Sequence, residues 1–201
     1  MRLTAPGGHR KGGLMRAVHV AEAGADFELI DRPTPEPGRD QVLVRVTACG
    51  VCHSDAMAQG GMASDYPRIP GHEVAGTIES IGEGVTQWQP GQRVGIGWFG
   101  GACHTCTACR EGDFINCATM GITGLTLDGG YAEHILVPSD ALAAIPDELT
   151  DVEAAPLMCA GITVFNGLRE SNARAGDLVA VIGLGGLGHL GVQFANKMGF
   201  E

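Results

Sequence analysis

A chain of 201 residues with 44% hydrophobic content is long enough to bury a core, yet it contains no apolar run of the ~18 residues that cross a bilayer. Its 23 acidic against 13 basic residues give a formal charge of −10, which excludes general electrostatic attraction to nucleic acid or to an anionic membrane. Small molecules are the expected partners.

Residues 1–14 read as a polar, glycine-rich extension with basic residues but no apolar signal-peptide core, so the cytoplasm is the expected location. From Met15 to about Pro146 short strand-like runs alternate with turn residues: MRAVHV (15–20), FELID (27–31), QVLVRVTA (41–48), VAGTIESI (74–81), RVGIG (93–97) and YAEHILVP (131–138). This pattern predicts a β-rich, barrel-like domain. Thr150 followed by Glu153 is a capping-box signature, so a helix is expected to start there, kinked or split by Pro156. The last segment predicts a buried strand over Leu178–Ile182, a glycine turn and a helix, the first βα unit of a doubly wound sheet. Such a sheet normally has about six strands. The chain therefore reads as the N-terminal part of a longer protein, divided into the extension 1–14, a catalytic domain 15–165 with a lobe at about 100–120, and the start of a nucleotide-binding domain at 166–201.

The strongest local signal is CHTCTACREGDFINC. It places Cys103, Cys106, Cys109 and Cys117 on a polar loop at spacings that let four thiolates wrap a tetrahedral Zn²⁺ at about 2.3 Å. With every position filled, that zinc would be structural. Disulfides or inert thiols are the alternatives, disfavoured in a cytosolic chain and on a loop with few apolar neighbours. Cys49, Cys52 and Cys159 remain. Cys52, His72 and Cys159 are candidates for a second, three-ligand zinc, although spacing alone does not bring them together; CGVC at 49–52 by itself fits a metal knuckle, a redox couple or two unrelated thiols. Gly183, Gly185 and Gly188 follow the expected strand and open a helix, where backbone N–H groups can approach a pyrophosphate; a turn built only for close packing is the other reading.

CGVCHSD, GHEVAGTIESIGEGV, the four-cysteine lobe, DGGYAEHILVP, PLMCAGITVFNGL and GLGGLGH occur in one order from Met15 onward. In this the chain resembles the zinc-dependent medium-chain alcohol dehydrogenases. The resemblance implies an α/β protein: a GroES-like catalytic domain joined to a Rossmann domain, two Zn²⁺ per chain, and NAD or NADP as cosubstrate. It further implies that Cys52, His72 and Cys159 hold the catalytic zinc, with Glu73 beside it as outer support or transient fourth ligand. Zinc so bound is a Lewis acid that helps an alcohol lose its proton near neutral pH, and the carbon can then pass a hydride to the nicotinamide. Asp55 either accepts the second ring N–H of His72 or caps a helix. Ser54 occupies the family's proton-relay position, an N-cap being the alternative, while Met57 stands where some members have the relay's terminal histidine. His53 falls at a position often facing the pyrophosphate, Thr163 and Gly186 join the cofactor contacts, and Trp98 and Phe99 fall at substrate-pocket positions. Cys49 is left as a thiol packed at a strand end. An alcohol, with its aldehyde or ketone, is the implied substrate, and the full-length form would be a homo-oligomer. A non-catalytic zinc-stabilised binding fragment and a quinone-reductase-like member of the superfamily are the competing readings; the latter proteins lack the zinc ligands retained here.

Overall fold

The computed structural model describes residues 13–201. The extension expected over 1–14 lies almost wholly outside the described residues, and its last residue, Leu14, already belongs to β1 (Leu14–Val20). β1 pairs antiparallel with β2 (Phe27–Pro33) as a two-stranded ribbon.

The larger sheet has five strands: β3 (Gln41–Cys49), β4 (Val74–Ile81), β5 (Arg93–Ile96), β6 (His134–Pro138) and β7 (Leu142–Ala144). They lie in the order β6-β3-β4-β5-β7, with all four pairings antiparallel. Only a 3-10 turn at Ser139–Ala141 links β6 to β7, the two edge strands. Flat, the edges of five strands would be about 19 Å apart, whereas the link reaches about 14 Å at full extension. The sheet must therefore curl, which is the barrel-like form the strand pattern predicts. Inside the curl, Val42, Val44, Val74, Ile78, Val94, Ile96, Ile135 and Val137 form the main core, each no more than 2% exposed.

Helices are few and short before residue 150: α1 (Ala56–Gln59) after a 3-10 turn at His53–Asp55, and α2 (Thr107–Arg110) in the cysteine lobe. The expected helix start appears as α3 (Asp151–Ala154), where Glu153 N–H donates to Thr150 Oγ1 at 3.3 Å and Thr150 N–H donates to Glu153 Oε2 at 2.9 Å. Pro156 does split this helical stretch, giving a 3-10 turn at Ala155–Met158 and then α4 (Ala160–Arg169). α5 (Gly186–Lys197) packs on α4, with the rings of Phe165 and Phe194 edge to face at 6.1 Å.

One expectation is corrected. Leu178–Ile182 is neither buried nor a strand: Leu178 is 87% and Ile182 98% exposed, and no ladder forms along it among the described residues. A parallel strand exists only through a neighbour's hydrogen bonds. Here the pairing reduces to Val179 N–H donating to Glu201 O at 2.7 Å and Glu201 N–H donating to Asp177 O at 3.0 Å. No helix among the described residues is long and apolar enough to cross a membrane.

Candidate metal centres and active site

Antiparallel pairing of β3 and β4 sets Cys49 opposite Val74, so the chain leaves β3 towards Cys52 beside the place where His72 and Glu73 enter β4. The bond from Gly50 N–H to Glu73 O, 2.8 Å, extends that pairing. Cys159 arrives from the other side of the fold. Arg93 on β5 holds the approach through Asp151 Oδ1 and Leu149 O, both 2.6 Å from its Nη2. The Met158 segment then lies directly on the strand end at Gly97, where any Cβ would come to 2.5 Å from the Met158 carbonyl oxygen.

The result is a cluster. One ligand atom from each of Cys52, His72, Glu73 and Cys159 lies within 4.8 Å of all the others, and the two sulfurs are 3.9 Å apart. His72 is 2% exposed and its Nδ1 sits 2.9 Å from Asp55 Oδ1, while its Nε2 is buried without a hydrogen-bond partner. An orphaned buried polar atom costs about 1–3 kcal/mol. A metal ion accepting the lone pair of Nε2 removes that cost, and two sulfurs with one imidazole are a donor set suited to zinc. The residues present fit the ion.

Protonation in the metal-free chain is set by these contacts. Burial favours neutral His72, but the Asp55 carboxylate and the neighbouring sulfurs outweigh it and push the imidazole up to about 10. Burial also raises Cys52, yet the N–H and hydroxyl of Ser54 and the His72 ring bring it below the ordinary thiol value. His72 lowers Cys159 in the same way, but burial and repulsion from Cys52 leave it raised. Burial lifts Glu73 and pushes Cys49 up to about 12; Cys49 is not one of the clustered residues.

Asp55 sits between His72 and the turn at Cys52, and its side chain does not cap α1. Its Oδ1 faces His72, and its Oδ2 accepts the Cys52 N–H at 2.8 Å at the start of the 3-10 turn. Ser54 is not an N-cap: Cys52 and Asp55 occupy the cap positions, and Ser54 lies beside Cys52 at the wall of a cavity. A cavity of about 890 Å³ opens at this point, lined by Ser54, Met57, Trp98, Phe99, Cys159 and Thr163 among others. His53 is exposed on the turn and is not among the lining residues. Of the turn glycines, Gly183 adopts φ 89° and a side chain at Gly188 would collide with the Gly183 carbonyl; Gly185 and Gly186 face open space. The residue missed in the sequence is Tyr131, whose hydroxyl donates to Asp55 Oδ2 at 2.5 Å across 76 positions. No motif marks it.

The lobe holds the second cluster. The sulfurs of Cys103, Cys106, Cys109 and Cys117 lie within 4.8 Å of one another around α2 and a 3-10 turn at Phe114–Asn116. Backbone N–H groups already point at them: Cys103 N to Cys117 Sγ at 3.3 Å, and Cys106 N to Cys103 Sγ and Thr119 N to Cys117 Sγ, both at 3.4 Å. Hydrogen bonds from Thr105 bring Cys103 down to about 5, whereas burial pushes Cys109 up to about 12. His104 ties the lobe to the barrel through Asp140, Nε2 to Oδ2 2.7 Å.

The sequence and the fold resemble those of known proteins. The alcohol dehydrogenase GroES-like domain model matches residues 38–147. The alcohol dehydrogenase patD of Aspergillus clavatus is 49% identical over 167 residues, spanning 83% of this chain and 43% of that protein. An alcohol dehydrogenase of Geobacillus stearothermophilus is 42% identical over 190 residues, 93% of this chain and 56% of that one. Among solved structures, the cobalt- and zinc-bound thermostable alcohol dehydrogenase of Pyrobaculum aerophilum superposes with a TM-score of 0.85 at 35% identity, covering 94% of this chain and 58% of that one. The Helicobacter pylori CAD complexed with NADP(H) gives 0.84 at 32% identity, covering 94% and 57%. The chain thus spans about half the length of the curated relatives it matches. By its GroES-like domain and the family model that matches it, the chain belongs to the medium-chain alcohol dehydrogenase family.

Proposed function

We propose that this chain supplies the metal-binding and substrate-binding part of a zinc-dependent alcohol dehydrogenase, which interconverts an alcohol and its aldehyde or ketone with NAD or NADP. The observation that carries the reading is the buried, unpartnered Nε2 of His72 clustered with the sulfurs of Cys52 and Cys159, the latter lining the cavity. In it, Cys52, His72 and Cys159 hold the catalytic zinc and leave a coordination position for substrate, while Cys103, Cys106, Cys109 and Cys117 hold a structural zinc. The catalytic ion supplies Lewis acidity that favours loss of the alcohol proton near neutral pH.

The chain's own groups do the rest. Asp55 fixes the His72 ring with Nε2 turned to the metal. Ser54, at the cavity wall and next to Cys52, takes the proton from the substrate oxygen, and with Met57 one turn on the proton leaves through solvent or cofactor hydroxyls. Trp98 and Phe99, on the cavity wall, would exclude water and orient the carbon that loses hydride, and Thr163, lining the same cavity at the start of α4, is assigned to the nicotinamide. Gly183 and Gly188 shape the turn for the pyrophosphate, with Gly185 and Gly186 leaving it open to the ligand. His53, exposed nearby, is assigned to the same phosphates.

Cobalt substitution tests the reading. Short primary and secondary alcohols added to the Co²⁺-loaded chain are expected to shift its visible bands, and to do so only when Cys52 and Cys159 are present. A spectrum indifferent to alcohols and aldehydes would remove the catalytic assignment.

A further inference from the structure

Tyr131 is anchored on both flanks. Its N–H donates to Pro70 O at 3.0 Å, its carbonyl accepts from Val18 N–H at 2.7 Å, and the Gly130 N–H donates to Gly71 O at 2.8 Å. The ring lies against Gly71, where a Cβ would come to 2.7 Å from a ring carbon. So held, the phenol projects its hydroxyl to 2.5 Å from Asp55 Oδ2. That oxygen also accepts the Cys52 N–H at 2.8 Å, and the other carboxylate oxygen is 2.9 Å from His72 Nδ1. Asp55 is 5% exposed, so water does not compete for it. One buried carboxylate is shared by the backbone of one candidate ligand, the ring of a second, and a phenol that belongs to neither.

We infer that Tyr131 is a positioning residue for the Cys52/His72/Cys159 centre: its hydroxyl locks the Asp55 carboxylate in the orientation that serves Cys52 and His72 together, and so sets how tightly the centre keeps its metal. Rotation about the last bond of an aspartate side chain is soft. Without the phenol, Oδ2 retains only the Cys52 N–H, and the carboxylate is free to turn away from the geometry that fixes the His72 ring. Burial and the neighbouring carboxylate both raise the phenol, which favours its protonated, donating form. The inference rests on the metal reading proposed above.

The experiment is metal release to a competing chelator from the zinc- and cobalt-loaded chain, in wild type, Tyr131→Phe, Asp55→Asn and the double variant. Tyr131→Phe is expected to weaken metal retention at the Cys52/His72/Cys159 centre by about ten-fold and to shift the cobalt bands of that centre. Retention by the four-cysteine lobe should not change, which makes it an internal reference. Once Asp55→Asn is present, Tyr131→Phe should add little, because both act through one carboxylate. Unchanged release, equal loss from both centres, or additive effects of the two substitutions would overturn the inference. A wild-type chain that takes up metal in the lobe alone would instead defeat the metal reading, and this inference with it.

Discussion

The sulfurs of Cys52 and Cys159 stand 3.9 Å apart although 107 residues separate them. That is too long for a disulfide and close to the edge, about 3.8 Å, of a tetrahedron with 2.3 Å metal–sulfur bonds. Elemental analysis of the folded chain is therefore expected to give two zincs, falling to one when Cys52→Ala and Cys159→Ala are combined. Cys49→Ala should leave both, since Cys49 lies outside the cluster. Zero zinc in the double variant, or loss of an equivalent in Cys49→Ala, contradicts the two-centre scheme.

Turnover by these 201 residues alone is expected to be slight. The segment 178–184, which should carry the nucleotide at a sheet's edge, has no strand beside it among the described residues and leaves Leu178, Ile182 and Leu184 exposed. Reduced-nicotinamide absorbance during incubation of the zinc-loaded chain with alcohol and NAD or NADP measures this. Robust zinc-dependent turnover would show that a complete nucleotide sheet is not required.

Gly50 sits under the Glu73 side chain, whose carboxylate and Cβ a methyl group at position 50 would strike. Gly50→Ala is expected to cost about 1–3 kcal/mol of stability by overpacking and to drive Glu73 out of the cluster. Denaturant titration gives the first effect. The second should appear as altered cobalt bands at the Cys52/His72/Cys159 centre with the lobe's bands unchanged, and bands identical to wild type would show that Glu73 accommodates the methyl group in place.

The capping box at α3 carries a pH dependence. Hydrogen bonds from the Thr150 hydroxyl and N–H hold the Glu153 carboxyl below its ordinary value of 4.5. A carboxyl depressed in the folded state contributes stability that is present above its unfolded value and is lost as pH falls through the folded one. Glu153→Gln should lower Tm at neutral pH, with the gap to wild type closing as pH drops well below 4.5. A gap independent of pH would mean that the carboxylate charge does not matter to the box.

The strands β1 to β6, the capping box, the Pro156 break and the four-cysteine lobe were all legible because each is written in neighbouring residues. Alternation of side chains, a cap three residues from its partner, a missing N–H and a short cysteine spacing need no distant contact to be recognised. β7 escaped notice because three residues, Leu142–Ala144, are too few to show a period. The opposite error arose at Leu178–Ile182, where an apolar run promises burial that only a neighbouring strand can deliver.

The four-cysteine spacing belongs to the amino-acid sequence, whereas parting Cys49 from Cys52 rested on the family resemblance. What tertiary structure alone decided is convergence: β3 and β4 in register, Met158 laid on Gly97, and Tyr131 brought to Asp55 from 76 positions away. Local patterns encode which atoms can bond, whereas the distance between them is set by how a curled sheet closes, and no single segment contains that information.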